Sequence, residues 1–234
     1  MSSIRGLSLK SALLRDAGFS HGFSTRTAGS PEGFTAFLAD AGIDGTQLRQ
    51  VHQVHGPRAV RAPALPTPWI EADALVAHAP LAVAVRVADC VPILFADPSS
   101  GAVAAVHAGW RGLASGVIGA AADLLTELAG ASPRGAWLAA IGPCIGPCCF
   151  EVGADVARTI AAAVDSDAVI ARTLGDKAFV DLRAGVRLRL AAAGFSSAYV
   201  EDIAGCTKCD DEQFFSYRRD GANAGRLFAA IAAR

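Results

Sequence analysis

Apolar residues in this chain fall in short, nearly unbroken runs. Leu81–Val87, Pro92–Phe95 and Ala102–Val106 read as strands covered on both faces, and Ala136–Ile141 as another. Asp97-Pro98-Ser99-Ser100-Gly101, between the second and third runs, has the composition of a hairpin turn. HGFSTR (21–26) predicts a short strand running into a Gly-containing turn at 29–33. Leu48–His55 ends as a strand stopped by Gly56-Pro57, and 57–70, with four prolines, reads as an extended loop. Gly109–Gly116 leads into a helix of about 15 residues that ends near Gly130. Asp155–Val164 and Leu182–Ala193 carry amphipathic helical spacing. Ser197–Glu201 and Phe214–Tyr217 predict short strands, and Ala224–Ala233 a closing helix. A hairpin together with helical crossovers predicts a single α/β (α+β) domain over residues 1–234 with a mixed sheet. No low-complexity linker or repeat of 20–50 residues divides the chain.

Composition narrows the functional classes. Of 234 residues, 52% are hydrophobic and 18% charged, which marks a chain that folds. The net charge of −1 gives no electrostatic footprint for nucleic acid, and no basic amphipathic stretch suggests a membrane surface. No apolar stretch reaches the ~18 residues of a membrane span. Lys10, Arg15 and Asp16 interrupt the N-terminal segment, so a signal peptide is not expected and the expected location is the cytoplasm. There, Cys90, Cys144, Cys148, Cys149, Cys206 and Cys209 would stay reduced. The composition is compatible with a monomer or a homodimer.

Three residues occupy equivalent places in the strand pattern. His55 ends one run in VHQVHG, Cys90 follows another in VRVADC, and His107 ends a third in VAAVHAGWRG. Residues at strand ends can converge at one sheet edge. Two imidazoles and a thiolate form a three-ligand zinc set with a fourth position open to water or substrate. A lone His or Cys in such places is more often structural, and the same residues also permit a Cys–His nucleophilic pair with Asp89 orienting the histidine. His52 should point away from His55, and His21 and His78 read as structural.

Other motifs admit two readings each. HAGWRG, a strand leading through Gly109 and Gly112 into a helix, suits an anion, with Arg111 adding charge, or is a plain turn with Trp110 packed on the core. Gly142-Pro143-Cys144 and Gly146-Pro147-Cys148 make a rigid loop expected to line the cleft or pack beside it. With Cys149 and the CxxC of Cys206 and Cys209 it admits a structural zinc site, although neither pair has the flanking spacing of a known finger. FFSYRRDG is a solvated turn or a substrate-contacting loop carrying Arg218, Arg219 and Asp220.

VHQVHG, ADALV, VADCVPIL, VHAGWRG, IGPCIGPCCFEVG and CT…FFSYRRDG…GR occur here in an order that resembles the YfiH-type proteins, also called the laccase-domain or polyphenol-oxidase-like family. The resemblance runs from about His21 to Arg226. It implies an α-β sandwich with helices outside mixed sheets, and a zinc site whose positions match His55, Cys90 and His107. It also implies purine nucleoside chemistry on small-molecule substrates: phosphorolysis of adenosine, inosine, guanosine or methylthioadenosine, and adenosine deamination. Other members are described as peptidoglycan editing factors, which would make the chain an amide hydrolase, or as copper-dependent polyphenol oxidases. Five histidines in all are few for a multicopper enzyme. Phosphorolysis needs an anion pocket, for which Arg26, Arg111 and Arg219 are candidates. Deamination needs an acid/base, for which Asp73 and Asp89 are candidates, because Gly109 stands where zinc deaminases carry a glutamate. Two departures stand out. The stretch between STR (24–26) and VHG (54–56) is short and lacks the usual Ser-Leu-Asn and Asn-Arg elements, and Val87 stands where the family often has Thr.

Overall fold

Continuous apolar runs need cover on both faces, and the computed structural model, which describes residues 6–65, 70–130 and 132–234, provides it by stacking two sheets. A six-stranded mixed sheet has the spatial order Val200–Asp202, Leu138–Ile141, Val91–Ala96, Val103–Ala108, Ala74–Ala77, Ala59–Arg61. A five-stranded sheet has the order Ser8–Leu9, His21–Ser24, Leu227–Ala232, Ala82–Val87, Leu48–Arg49. The twofold alternation of strand side chains divides each run between two cores. Leu94, Ala96, Val103 and Ala105 meet Val83, Val85, Ala229 and Ile231 between the sheets. Ile93, Phe95, Ala104 and Val106 face outward and pack with helices Val117–Ala129, Ala154–Ala163 and Leu182–Ala192. On the far side, Ala82, Ala84 and Ala230 meet Phe37 and Leu38 of helix Pro31–Ala41. The result is the α-β sandwich with mixed sheets that the motif order implied.

The predicted hairpin is present: Val91–Ala96 pairs antiparallel with Val103–Ala108, and buried Asp97 fixes the turn by accepting from Ser99 N, Ser100 N and Ser100 Oγ. The predicted helix after Gly109 forms as two pieces, Trp110–Ser115 and Val117–Ala129, broken at Gly116, which has φ 95°.

Several expectations are corrected. Ala224–Ala233 is not a helix. Its core, Leu227–Ala232, is a strand held between His21–Ser24 and Ala82–Val87 and covered on both faces. Residues 214–217 do not form a strand; they turn into the short helix Tyr217–Asp220, capped by Ser216 Oγ. The turn expected at 29–33 is instead a helix start. Ser30 Oγ accepts from Gly33 N at 3.0 Å, Pro31 takes the first helical position, and Gly42 closes the helix at φ 71°. Of Leu48–His55 only Leu48–Arg49 joins a ladder. The loop 57–70 contains a strand, Ala59–Arg61, and its Pro66, Thr67, Pro68 and Trp69 lie outside the described residues. A small antiparallel sheet of Glu151–Gly153, Lys177–Val180 and Ile170–Leu174 was not predicted. Among the described residues, no helix is long and apolar enough to cross a membrane.

Candidate metal centre

The candidate ligands gather where the chain passes from one sheet to the other. Cys90 lies in the link between Ala82–Val87 of the five-stranded sheet and Val91–Ala96 of the six-stranded sheet. His107 is on Val103–Ala108, buried at 3% exposure. His55 sits in the turn after the edge strand Leu48–Arg49. That segment leaves the ladder, yet stays fastened to the neighbouring strand by the Gln53 amide. Gln53 Nε2 donates to Arg86 O at 2.7 Å and Oε1 accepts from Arg86 N at 2.8 Å, as a paired backbone would. Two residues beyond this tether, His55 adopts φ 62°, and Asp89 beside Cys90 adopts φ 92°. Left-handed backbone at residues other than glycine costs about 1–3 kcal/mol each and persists where the surroundings enforce it.

Asp73 is one such enforcer. It is fully buried, and accepts from His55 N (2.9 Å), Gly56 N (2.7 Å) and Val54 N (3.3 Å), holding the turn around His55. Its Oδ1 also lies 2.7 Å from Nδ1 of His107. Burial alone would raise the Asp73 carboxyl, but the bonds from His107, Gly56 and His55 outweigh it and hold the group below the usual carboxylate range. An acceptor-only carboxylate at Nδ1 requires the imidazole proton there, which leaves Nε2 free to bind a metal.

The ligand-capable atoms of His55, Cys90 and His107 lie within 4.8 Å of one another. The two imidazoles stand nearly perpendicular, 4.8 Å between centroids and 81° between planes. Burial raises the Cys90 thiol, yet the hydrogen bonds and charges of His107 and His55 overcome it and bring the pKa down to about 6. Burial likewise lowers His107, and its bonds to Asp73 and Cys90 push it up to about 9. A thiolate beside two imidazoles is the donor set of a borderline-soft divalent ion. Space is kept for one: a Cβ added at Gly109 would lie 3.0 Å from Cys90 Sγ and 3.1 Å from His55 Cδ2.

The three residues line a cavity of about 620 Å³. Its wall carries three arginines, Arg86, Arg218 and Arg226, and the rings of Phe150 and Tyr217. Burial and the charge of Arg226 both lower the pKa of Arg86, and an anion held beside the two would offset both effects. Asp89 also lines the cavity, but both its oxygens are engaged: Thr207 Oγ1 donates to one and Arg218 N to the other, each at 2.6 Å. Asp89 therefore ties three segments together.

The residues named from the sequence divide sharply. His55, Cys90, His107 and Asp89 line the cavity, and Asp73 lies behind the histidines. Arg26, Arg111 and Arg219 do not line it. The Arg26 guanidinium donates to Asp211 O and lies over Phe215, and that of Arg111 lies 4.6 Å from the Trp110 ring. Arg219 is spent on Thr207 O, Phe214 O and the Asp220 carboxylate. Arg86, Arg226, Gln53 and Thr207 escaped sequence reasoning. The signal for Arg86 was its lone charge inside the apolar run Ala82–Val87. His21 is structural, accepting from Ser11 N and facing Phe19 O, and His78 faces Leu128 O at 2.8 Å. His52 bridges to Glu71 and is outside the cluster.

Comparison with known proteins agrees with the motif order. The family model described as multi-copper polyphenol oxidoreductase laccase matches residues 21–234. Purine nucleoside phosphorylase YfiH of Shigella flexneri is 41% identical over 185 residues, 77% of this chain and 72% of that protein. Purine nucleoside phosphorylase YlmD of Geobacillus stearothermophilus is 38% identical over 149 residues, 63% and 54% of the two chains. Adenosine deaminase RL5, from an unknown prokaryotic organism, is 38% identical over 162 residues, 68% and 61%. The match thus spans about half to seven-tenths of the length of these curated relatives. A crystal structure of YlmD from Geobacillus stearothermophilus superposes with a TM-score of 0.86 at 27% identity, covering 100% of this chain and 98% of the other.

Proposed function

The chain belongs to the family described as multi-copper polyphenol oxidoreductase laccase, and on that premise we propose that it is a zinc-dependent purine nucleoside phosphorylase with its metal on His55, Cys90 and His107. The observation that carries the reading is one cavity that joins this donor set to Arg86, Arg218 and Arg226. Phosphorolysis needs a phosphate pocket beside room for a nucleoside, and a metal there can add electrophilic assistance. At about 620 Å³ the cavity is within the range of small-molecule sites.

In phosphorolysis a phosphate oxygen bonds to C1′ of the ribose as the C1′–N9 bond breaks. The purine leaves with the bonding pair and takes up a proton. Arg86 and Arg226 hold the phosphate; their mutual repulsion is relieved when an anion lies between them. Phe150 and Tyr217 give the base apolar faces. Asp73 fixes the His107 tautomer and the His55 turn, and is a positioning residue with no oxygen free for proton transfer. Asp89 positions Arg218 and Thr207 in the same way. When bound, zinc supplies a Lewis acid with an open coordination position.

Adenosine deamination is the second reading, favoured by the similarity to RL5 and the same metal donor set. It lacks a free carboxylate: Asp73 and Asp89 are both committed to other donors. Incubation of the zinc-loaded protein with adenosine, with and without phosphate, separates the two by chromatography. Adenine and ribose 1-phosphate formed only with phosphate support the phosphorylase. Inosine formed without phosphate moves the chain to deamination, and untouched adenosine sinks both.

A further inference from the structure

Away from the three-ligand centre, two tight turns bring four cysteines together. Cys148 and Cys149 sit in the turn after Gly146-Pro147, closed by Cys149 N donating to Gly146 O at 2.9 Å. Cys206 and Cys209 bracket a second turn, closed by Asp210 N donating to Cys206 O at 3.1 Å. The turns are aligned by a parallel bridge between Cys144 and Cys206 and by Thr207 N donating to Cys144 O at 3.0 Å. The four sulfurs lie within 4.8 Å of one another, with Cys148–Cys206 at 3.6 Å, Cys148–Cys209 at 3.5 Å and Cys149–Cys209 at 3.3 Å.

These separations discriminate between outcomes. A disulfide needs its sulfurs about 2.05 Å apart. Four thiolates at about 2.3 Å around one tetrahedral zinc are separated by about 3.8 Å; the three closest sulfur pairs, at 3.3–3.6 Å, lie a few tenths of an ångström inside that value and far outside bonding distance. Gly146 leaves the cluster room, since a Cβ there would lie 3.2 Å from Cys148 Sγ and 3.4 Å from Cys206 Sγ. Its N–H points at Cys206 Sγ, 3.2 Å away, a bond that stabilises a thiolate.

We propose that Cys148, Cys149, Cys206 and Cys209 form a second, structural zinc site of four thiolates, separate from the His55–Cys90–His107 centre. Four protein ligands close the coordination shell, so this ion takes no substrate. It fastens two loops that build the cavity wall. One carries Ile145 and Phe150, which line the cavity; the other carries Thr207, whose hydroxyl holds Asp89. Arg219 braces the second loop through Thr207 O and Lys208 O.

The test uses the full chain with the first centre disabled. Cys90→Ser protein from zinc-supplemented culture should retain about one zinc per chain, and its zinc-edge X-ray absorption should show a shell of sulfur alone. The wild type should hold about two, and Cys148→Ser/Cys209→Ser should lose one of them and melt at a lower temperature. Cys90→Ser protein without zinc, or with zinc bound through nitrogen and oxygen, overturns the proposal. So does a wild-type stoichiometry of one that Cys90→Ser abolishes, or disulfides among the four cysteines in freshly purified protein. If the first centre held no metal, wild type and Cys90→Ser would carry the same single all-sulfur zinc, so the two readings fail separately.

Discussion

Replacing Asp73 with asparagine probes the part of the site that touches neither substrate nor metal. The side chain keeps its shape but loses its charge and one acceptor. If the amide oxygen stays at the Oδ1 position it still accepts from His107 Nδ1 and His55 N. The amide nitrogen then faces the N–H groups of Gly56 and Val54, donor against donor, where the native distances are 2.7 and 3.3 Å. Leaving these two part-buried donors facing another donor costs on the order of 2 kcal/mol together, and this should appear as a lower urea midpoint of the metal-free protein. The turn that holds His55 at φ 62° loosens at the same time. The bond to His107 survives but loses its charged acceptor, so metal affinity should fall by about 10-fold, the low end of the range for partners that orient a metal-binding histidine. Competition for zinc against a chromophoric chelator measures that directly. An Asp73→Asn protein with zinc affinity within about twofold of wild type and an unchanged urea midpoint would refute the positioning role.

The lowered thiol of Cys90 implies that, in metal-free protein, its thiolate fraction rises as pH increases through about 6. Iodoacetamide labelling of Cys90, followed by peptide mass spectrometry, should have its midpoint there and be suppressed by zinc; a midpoint near the ~8.5 of an ordinary cysteine would contradict the His55 and His107 influence. Gly109→Ala places a methyl 3.0 Å from Cys90 Sγ, so its zinc affinity should fall on the order of 10-fold in the chelator assay, whereas an unchanged value would show that the ligands have room to spare. Arg86→Gln and Arg226→Gln each remove a charged partner of phosphate and should raise the KM for phosphate about 10- to 100-fold, the equivalent of about 1.4–2.7 kcal/mol. An effect on the KM for nucleoside alone would place the anion elsewhere.

What the sequence disclosed follows from how strongly each position is constrained by its own neighbours. Leu81–Val87, Pro92–Phe95 and Ala102–Val106 were legible as strands because cover on both faces demands unbroken apolar runs. The same cover made Leu227–Ala232 ambiguous: an alanine-rich run has no twofold pattern, and only pairing with two distant strands decides it. Ser30-Pro31 with Gly33 looked like a turn because cap residues and turn residues are the same residues. His55, Cys90 and His107 were recognisable because each ends or follows a run. The arginines were not, since choosing among them depends on which side chains the fold brings to the cavity wall. Arg219, within a conspicuous motif, is turned onto loop carbonyls away from the cavity, while Arg86, inside a strand, lines it.

The most direct test of the metal centre is a crystal of the zinc-loaded protein measured above and below the zinc absorption edge. The expected result is an anomalous peak about 2.0–2.3 Å from His107 Nε2, Cys90 Sγ and a ring nitrogen of His55, absent in Cys90→Ser. No peak among these three residues in a crystal grown with zinc, or a peak that survives Cys90→Ser unchanged, would contradict the account.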